Sequence, residues 1–217
     1  MPRSKQPAPH PSPYHHGDLR RTLLDSAQAI LAETGRWDFS LREVARRAGV
    51  SHNAPYRHFA DKEALLAALG VVGYEALGEC SAVAIAGLAV PAALLAALGN
   101  AYVGFGVANP ALYRLMFGQA LPNVEGLPAA LLEAISIARG GLHDVILAGA
   151  KDGSFAINSD DINQVSAASV AAWSLVHGLT LLTIDQLVQR DTGPSLTVDL
   201  SQHVVELFVA GLCRGKN

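Results

Sequence analysis

Residues 40–59 read "SLREVARRAGVSHNAPYRHF", and their reading decides the fold. Leu41, Val44, Ala45 and Ala48 recur at helical spacing, so 41–48 is expected to be a short amphipathic helix. Ser40 stands at its N-cap, with Glu43 three residues on in the capping-box arrangement. Gly49 follows, the residue type that accepts the left-handed backbone at a helix end. Ser51 then stands where it could cap a third helix of about eight residues. Two short helices around a glycine turn, with small Ala45 four residues before the glycine, make a helix-turn-helix. Val50 and Phe59 are expected to point into its core. His52, Asn53, Ala54, Tyr56 and Arg57 then form an outward polar face, and Pro55 adds an apolar inner contact near a helix start, where its missing amide costs little.

Such a face suits the DNA major groove. Asn and Arg side chains can pair with adenine and guanine edges, and an alanine methyl can meet a thymine methyl. Tyr56, His58 and Lys62 suit phosphate oxygens.

The surrounding chain is helical in pattern, and no segment alternates as a strand does. Leu19, Leu23, Ala27, Ile30 and Leu31 line a first helix ending near Gly35. Asp61 starts a fourth, with Leu65, Leu66, Leu69 and Val72 inward. Pro91 opens a helix to about Val107, and Pro110 another to Gly118. The stretch 119–128 reads as a loop, and a helix is expected from about Pro128 to Gly149. "KDGSFAINSDD", residues 151–161, reads as a surface turn with a capping Asp. Helices near 161–189 and 196–213 close the chain. The expected fold is all-α. A tail at 1–13 precedes a helix-turn-helix unit at 14–60, and a helical effector-binding and dimerisation unit fills 61–217, linked by the helix from about 61 to 80.

Charge divides the same way. Residues 1–65 hold 10 Lys+Arg against 7 Asp+Glu, and the remainder 6 against 12. A basic first third on an acidic remainder suggests two tasks in one chain. No charged residue lies between Glu79 and Arg114, or between Asp161 and Asp185. Both stretches are read as helices packed in an all-α domain, not as membrane spans. No apolar leader opens the chain, so a cytoplasmic protein is expected. Cys80 and Cys213 lack metal or C-x-x-C spacing and read as reduced, packed thiols. No nucleotide-binding, nucleophile-elbow or zinc-protease motif is visible, so the chain reads as a non-enzyme without cofactor or metal.

"YHHGDLRRTLLDSAQAILAETG…FSLREVARRAGVSHNAPYRHFADKEALLAAL", residues 14–69, resembles the N-terminal domain of the TetR (tetracycline-repressor-like) transcriptional regulators. "NPALYRLMFG" and "WSLVHGL" resemble the subgroup with a Trp-His-Gly signature in its ligand domain, here Trp173, His177 and Gly178. The resemblance implies a homodimeric repressor that binds a palindromic double-stranded operator and is released by a small-molecule effector. By position, Arg42, His52, Asn53 and Ala54 would face bases, and Tyr56, His58 and Lys62 would hold the backbone; Ser40 and Ser51 complete the expected DNA surface. Family members often carry an aliphatic residue at 55 and an aromatic one at 57. Here they are Pro and Arg, so Arg57 is an additional candidate contact.

An effector pocket is mostly apolar with a few polar anchors. Tyr102, Phe105, Tyr113, Met116, Phe117, Trp173 and His177 are the candidates. Trp173 and His177, four apart, share a helix face. Gly178 is expected to let two helices approach closely. A competing reading makes the chain an all-α interaction module whose helix-turn-helix docks a partner protein.

Overall fold

The computed structural model describes residues 16–118, 120–121, 126–188 and 197–213. The expected tail at 1–13 and most of the expected loop at 119–128 lie outside these residues. The described residues are largely helical and hold no strand. The helices are α1 (His16–Thr34), α2 (Leu41–Arg47), α3 (Lys62–Ile85), α4 (Pro91–Ala108), α5 (Pro110–Phe117), α6 (Ala129–Lys151), α7 (Ile162–Ile184) and α8 (Thr197–Cys213), with the 3-10 turn at Pro55–Arg57 between α2 and α3.

Local chemistry sets most boundaries. Ser40 Oγ accepts the Glu43 amide and opens α2. Asp61 accepts the Ala64 amide and opens α3. Asp161 accepts the amides of Asn163 and Gln164 and opens α7. Prolines start α4 and α5, where the absent N–H has no helical partner to lose. Gly49, at φ +69°, ends α2. Its amide bonds Arg46 O and the Val50 amide bonds Ala45 O, the paired reverse bonds that a left-handed glycine closes.

Two expectations are corrected here. The expected eight-residue third helix is one 3-10 turn. Pro55 has no amide to offer the Ser51 carbonyl, which accepts from Ala54 instead; Arg57 and His58 likewise bond the carbonyls three residues back, and only Phe59 closes a four-residue bond, to Pro55 O. The two thiols are not packed: Cys80 and Cys213 are both exposed, one on the outer side of α3 and the other at the end of α8.

The first apolar core runs unbroken from Leu19, Leu23 and Leu31 of α1 through Val44 and Phe59 to Leu65 and Leu69 of α3, Leu112 and Leu115 of α5 and Leu131 of α6. A second gathers Leu95, Val103, Ile146, Val165, Val176 and Val205 from α4, α6, α7 and α8. Phe155 also belongs to this second core and is only 1% exposed, so the 151–161 connection is not a mere surface turn. Its backbone ties α6 to α8: Phe155 N donates to Gly149 O and Ala156 N donates to Leu212 O.

Three helices, α3, α4 and α7, are long and apolar enough to cross a membrane by length and composition. Each packs against its neighbours in the bundle, and α4 contacts α3, α6, α7 and α8.

Candidate DNA and effector sites

The helix-turn-helix presents a polar face on a rigid base. Pro55 and Phe59 are buried, and Val50 packs partly against the same core. The Arg20 guanidinium lies over the Phe59 ring at 5.4 Å, joining α1 to the end of the motif. Ser40, Arg42, Ser51, His52, Asn53, Tyr56 and Arg57 are exposed, whereas Ala54, His58 and Lys62 are half-buried. Tyr56 is 51% exposed although aromatic, beside buried Pro55. Ser40 doubles as the cap of α2. Arg47 points elsewhere: it grips Glu33 of α1 through two bonds, at 2.6 and 2.5 Å. That pairing lowers the Glu33 carboxyl below its usual range, chiefly through the hydrogen bond from Arg47. Arg47 is thus a clasp between α1 and α2, while Arg42, Arg46 and Arg57 remain on the exposed surface.

In the second half, five of the seven candidates converge. Tyr102 of α4, Tyr113 and Phe117 of α5, and Trp173 and His177 of α7 form one aromatic cluster. Tyr113 and His177 stack with centroids 5.6 Å apart, Phe117 meets His177 edge-on at 5.0 Å, and Trp173 lies 5.5 Å from His177. Their polar atoms meet as well. Trp173 Nε1 donates to Tyr102 Oη at 3.2 Å, Tyr102 and Tyr113 hydroxyls lie 3.1 Å apart, and Tyr113 Oη lies 2.7 Å from His177 Nδ1. Tyr102 Oη is also 3.2 Å from the same nitrogen.

Counting protons sets the directions. An indole N–H only donates, so Tyr102 oxygen is its acceptor. Both hydroxyl hydrogens find acceptors inside the cluster when His177 Nδ1 is unprotonated: one hydroxyl donates to the other, and the other donates to Nδ1. The neutral imidazole then carries its proton on Nε2. Burial acts the same way, lowering the His177 pKa below its usual 6.5. Burial also pushes the Tyr113 phenol up to about 12 and the Tyr102 phenol higher still, so both stay protonated donors.

The depressed His177 value has a consequence for stability. The folded protein holds fewer protons than the unfolded chain, so stability rises with pH from the lowered value up to about 6.5 and falls on acidification through that window. Denaturant midpoints compared at both ends of the window should show this slope, and His177→Gln should flatten it.

Two candidates stand apart from the cluster. Met116 packs against α3, where a Cβ on Gly73 would meet its Sδ at 2.5 Å. Phe105, three residues on from Tyr102, turns toward α3 and lines an outer groove with Glu79, Cys80, Val83, Ala101 and Gly104. Gly178 is also corrected: a Cβ there would meet nothing within 4 Å, so no close helix approach requires it. His143 Nδ1 lies 3.4 Å from Ser169 Oγ, away from His177, and Asp144 is exposed.

Sequence reasoning missed three neighbours of the cluster. Tyr74 of α3 meets Phe117 edge-on at 5.6 Å. Thr180 is fully buried one turn beyond His177's neighbours, its Oγ1 donating to Val176 O. Arg139 of α6 lies over the Trp173 ring at 5.0 Å. As the lone Arg on α6, within an otherwise apolar stretch, Arg139 was the one detectable signal.

Comparison with known proteins fits both halves. Residues 23–69 match the family model "Bacterial regulatory proteins, tetR family", and residues 95–208 match "Tetracyclin repressor-like, C-terminal domain". HTH-type transcriptional regulator Rv1816 of Mycobacterium tuberculosis is 29% identical over 143 residues, 65% of this chain and 58% of that protein. The matched region thus spans less than two thirds of that relative's length. A solved protein of unknown function from Rhodococcus sp. RHA1 is 31% identical, with TM-score 0.80 over 94% of this chain and 100% of that one. FadR from Bacillus subtilis, solved in complex with stearoyl-CoA, shares the fold at 20% identity, with TM-score 0.67 over 91% of this chain and 99% of that one. With family models matching the helix-turn-helix and more than half of the chain beyond it, the chain belongs to the TetR family of bacterial regulatory proteins.

Proposed function

We propose that this protein is a ligand-responsive, DNA-binding transcriptional regulator of the cytoplasm, acting as a homodimeric repressor on a palindromic operator. The observation that carries this reading is the exposed set Arg42, His52, Asn53, Tyr56 and Arg57, held on the buried Pro55 and Phe59. In this reading residues 14–60 read DNA. Asn53, Arg57, Arg42 and His52 face base edges with Ala54 against a thymine methyl, and Ser40, Ser51, Tyr56, His58 and Lys62 hold phosphates.

Residues 61–217 bind the effector and pair the subunits. Trp173, His177, Tyr102, Tyr113 and Phe117 supply the effector wall, as the Trp-His-Gly resemblance suggests, and the acyl ligand of the FadR neighbour is in keeping with an apolar effector. The outer sides of α7 and α8 leave Val170 at 57% and Leu207 at 70% exposure, suited to a four-helix contact between two copies. Two reading heads would then sit roughly 34–36 Å apart, one DNA turn.

Release follows from α5. Its Tyr113 belongs to the effector cluster, while its Leu112 and Leu115 share a core with Leu23 and Leu31 of α1. A ligand that prefers a shifted α5 and α3 moves the reading heads out of register, to the extent of its differential affinity for the two states.

Selection of random duplexes on the purified protein at near-physiological salt tests the reading. One enriched palindrome is the expected result; salt-sensitive binding with no enriched sequence counts against it. On that operator, Asn53→Ala and Arg57→Ala should each weaken binding by about 1–3 kcal/mol and relax base preference. Lys62→Ala should weaken all sequences alike and flatten the salt dependence.

A further inference from the structure

The aromatic cluster leaves two donors unspent, and they define the chemistry of what would enter it. The first is His177 Nε2. The proton count above places the imidazole hydrogen there, and Nε2 has no hydrogen-bond partner among the described residues. No buried polar side-chain atom among those residues lacks a partner, so Nε2 is reachable from outside the packed core. The second is Arg139. Its guanidinium sits over Trp173 at 5.0 Å and makes no ion pair among the described residues, in contrast to Arg36, Arg47 and Arg114.

No acid among the described residues forms an ion pair with Arg139. Helices α4 and α7, which supply Tyr102, Trp173 and His177, carry no Lys, Arg, Asp or Glu. On α6 the nearest acids, Glu133 and Asp144, are six and five residues away, not on the face three or four residues along that could neutralise it. The positive charge of Arg139 reaches the Tyr74 and Tyr102 hydroxyls, which places it on the cluster's side of α6. Arg139 is an exposed residue whose guanidinium lies over the indole face.

An uncompensated cation and a neutral N–H donor, each beside the Trp173 ring, suit an anion that accepts hydrogen bonds and carries an apolar body. We propose that the effector is an organic carboxylate, its headgroup paired with Arg139 and accepting the His177 Nε2 proton, its apolar body lying against Trp173 and Phe117. This rests on the reading of the cluster as the effector site. The carboxylate is preferred to an uncharged polar group because only an anion gains a charge-assisted bond from Arg139.

Calorimetric titration of the full chain with matched probes tests this: decanoate against decanol, and phenylbutyrate against phenylbutanol. At least one acid should bind about tenfold tighter than its alcohol, the difference between a charge-assisted and a neutral hydrogen bond. Arg139→Gln should bring that acid level with its alcohol, and Arg139→Lys should keep part of the preference. Equal binding of acid and alcohol, or a preference that survives Arg139→Gln, overturns the carboxylate while leaving an apolar effector site in place. Binding of neither pair overturns it too. The site itself fails on a different sign: probes that bind with affinities indifferent to both Trp173→Ala and Phe117→Ala.

Discussion

Phe155→Ala should cost about 3–5 kcal/mol of folding stability, the range for emptying a buried aromatic site. The ring is 1% exposed and lies in the core built from α4, α6, α7 and α8. Two features argue for the upper part of the range. Gly149 leaves out a side chain to make room: a Cβ there would overlap the Phe155 ring, with its Cγ at 2.9 Å, so the ring fills a socket made for it. The neighbouring backbone bonds, Phe155 N to Gly149 O and Ala156 N to Leu212 O, hold the connection in place and limit collapse into the space left. Denaturant unfolding of the variant should therefore show a much lower midpoint, and Phe155→Leu should recover part of the loss. A surface turn would leave the midpoint unchanged within about 0.5 kcal/mol.

Gly106→Val should be nearly as damaging, at about 3 kcal/mol, the upper end of overpacking costs. A Cβ at Gly106 would overlap Thr180 Cγ2 and meet Tyr113 Cδ2 at 2.9 Å. Neither neighbour can retreat. Thr180 is fully buried and pinned by its 2.6 Å bond to Val176 O, and Tyr113 is fully buried and held by His177. Helix preference alone predicts only a small effect, since glycine in a helix interior already costs roughly 1 kcal/mol relative to alanine. The steric term therefore decides the sign. Gly104→Ala is the internal control: it is on the same helix, it is exposed, and its Cβ would meet nothing within 4 Å. It should stabilise by about 0.5–1 kcal/mol. Because Tyr113 carries the hydrogen bond from α5 into the aromatic cluster, Gly106→Val should also blunt any ligand effect on DNA binding in whatever fraction remains folded. A full ligand response in that variant would remove α5 from the transmission route.

The salt clasp Arg47–Glu33 illustrates how the two halves of the motif differ in origin. In the sequence Arg47 is one more basic residue on a basic helix. In the fold it is bound to α1 fourteen residues back, so it braces the reading head rather than reading DNA. Arg114 is similar: it pairs with Asp185 at the end of α7 and so ties α5 to α7.

What the sequence determined by itself was everything governed by neighbours along the chain. Helical periodicity, the caps at Ser40, Asp61 and Asp161, the left-handed turn at Gly49 and the starts at Pro91 and Pro110 are short-range effects, and each is readable from residues within a turn or two. The third helix is a local exception: Pro55 lacks the amide that a longer helix needs, so the polar face rests on a 3-10 turn. Only the tertiary structure decided which residues meet across helices. That Tyr102, Tyr113 and His177 share one proton chain depends on α4, α5 and α7 crossing at that level. That Met116 and Phe105 turn away from it depends on how α3 packs. Phe155, Thr180 and Arg139 take their roles from partners on other elements, and no spacing in the sequence encodes them. Side-chain contacts between helices are fixed by the packing of whole surfaces, where a rotation of a few tens of degrees exchanges one partner for another.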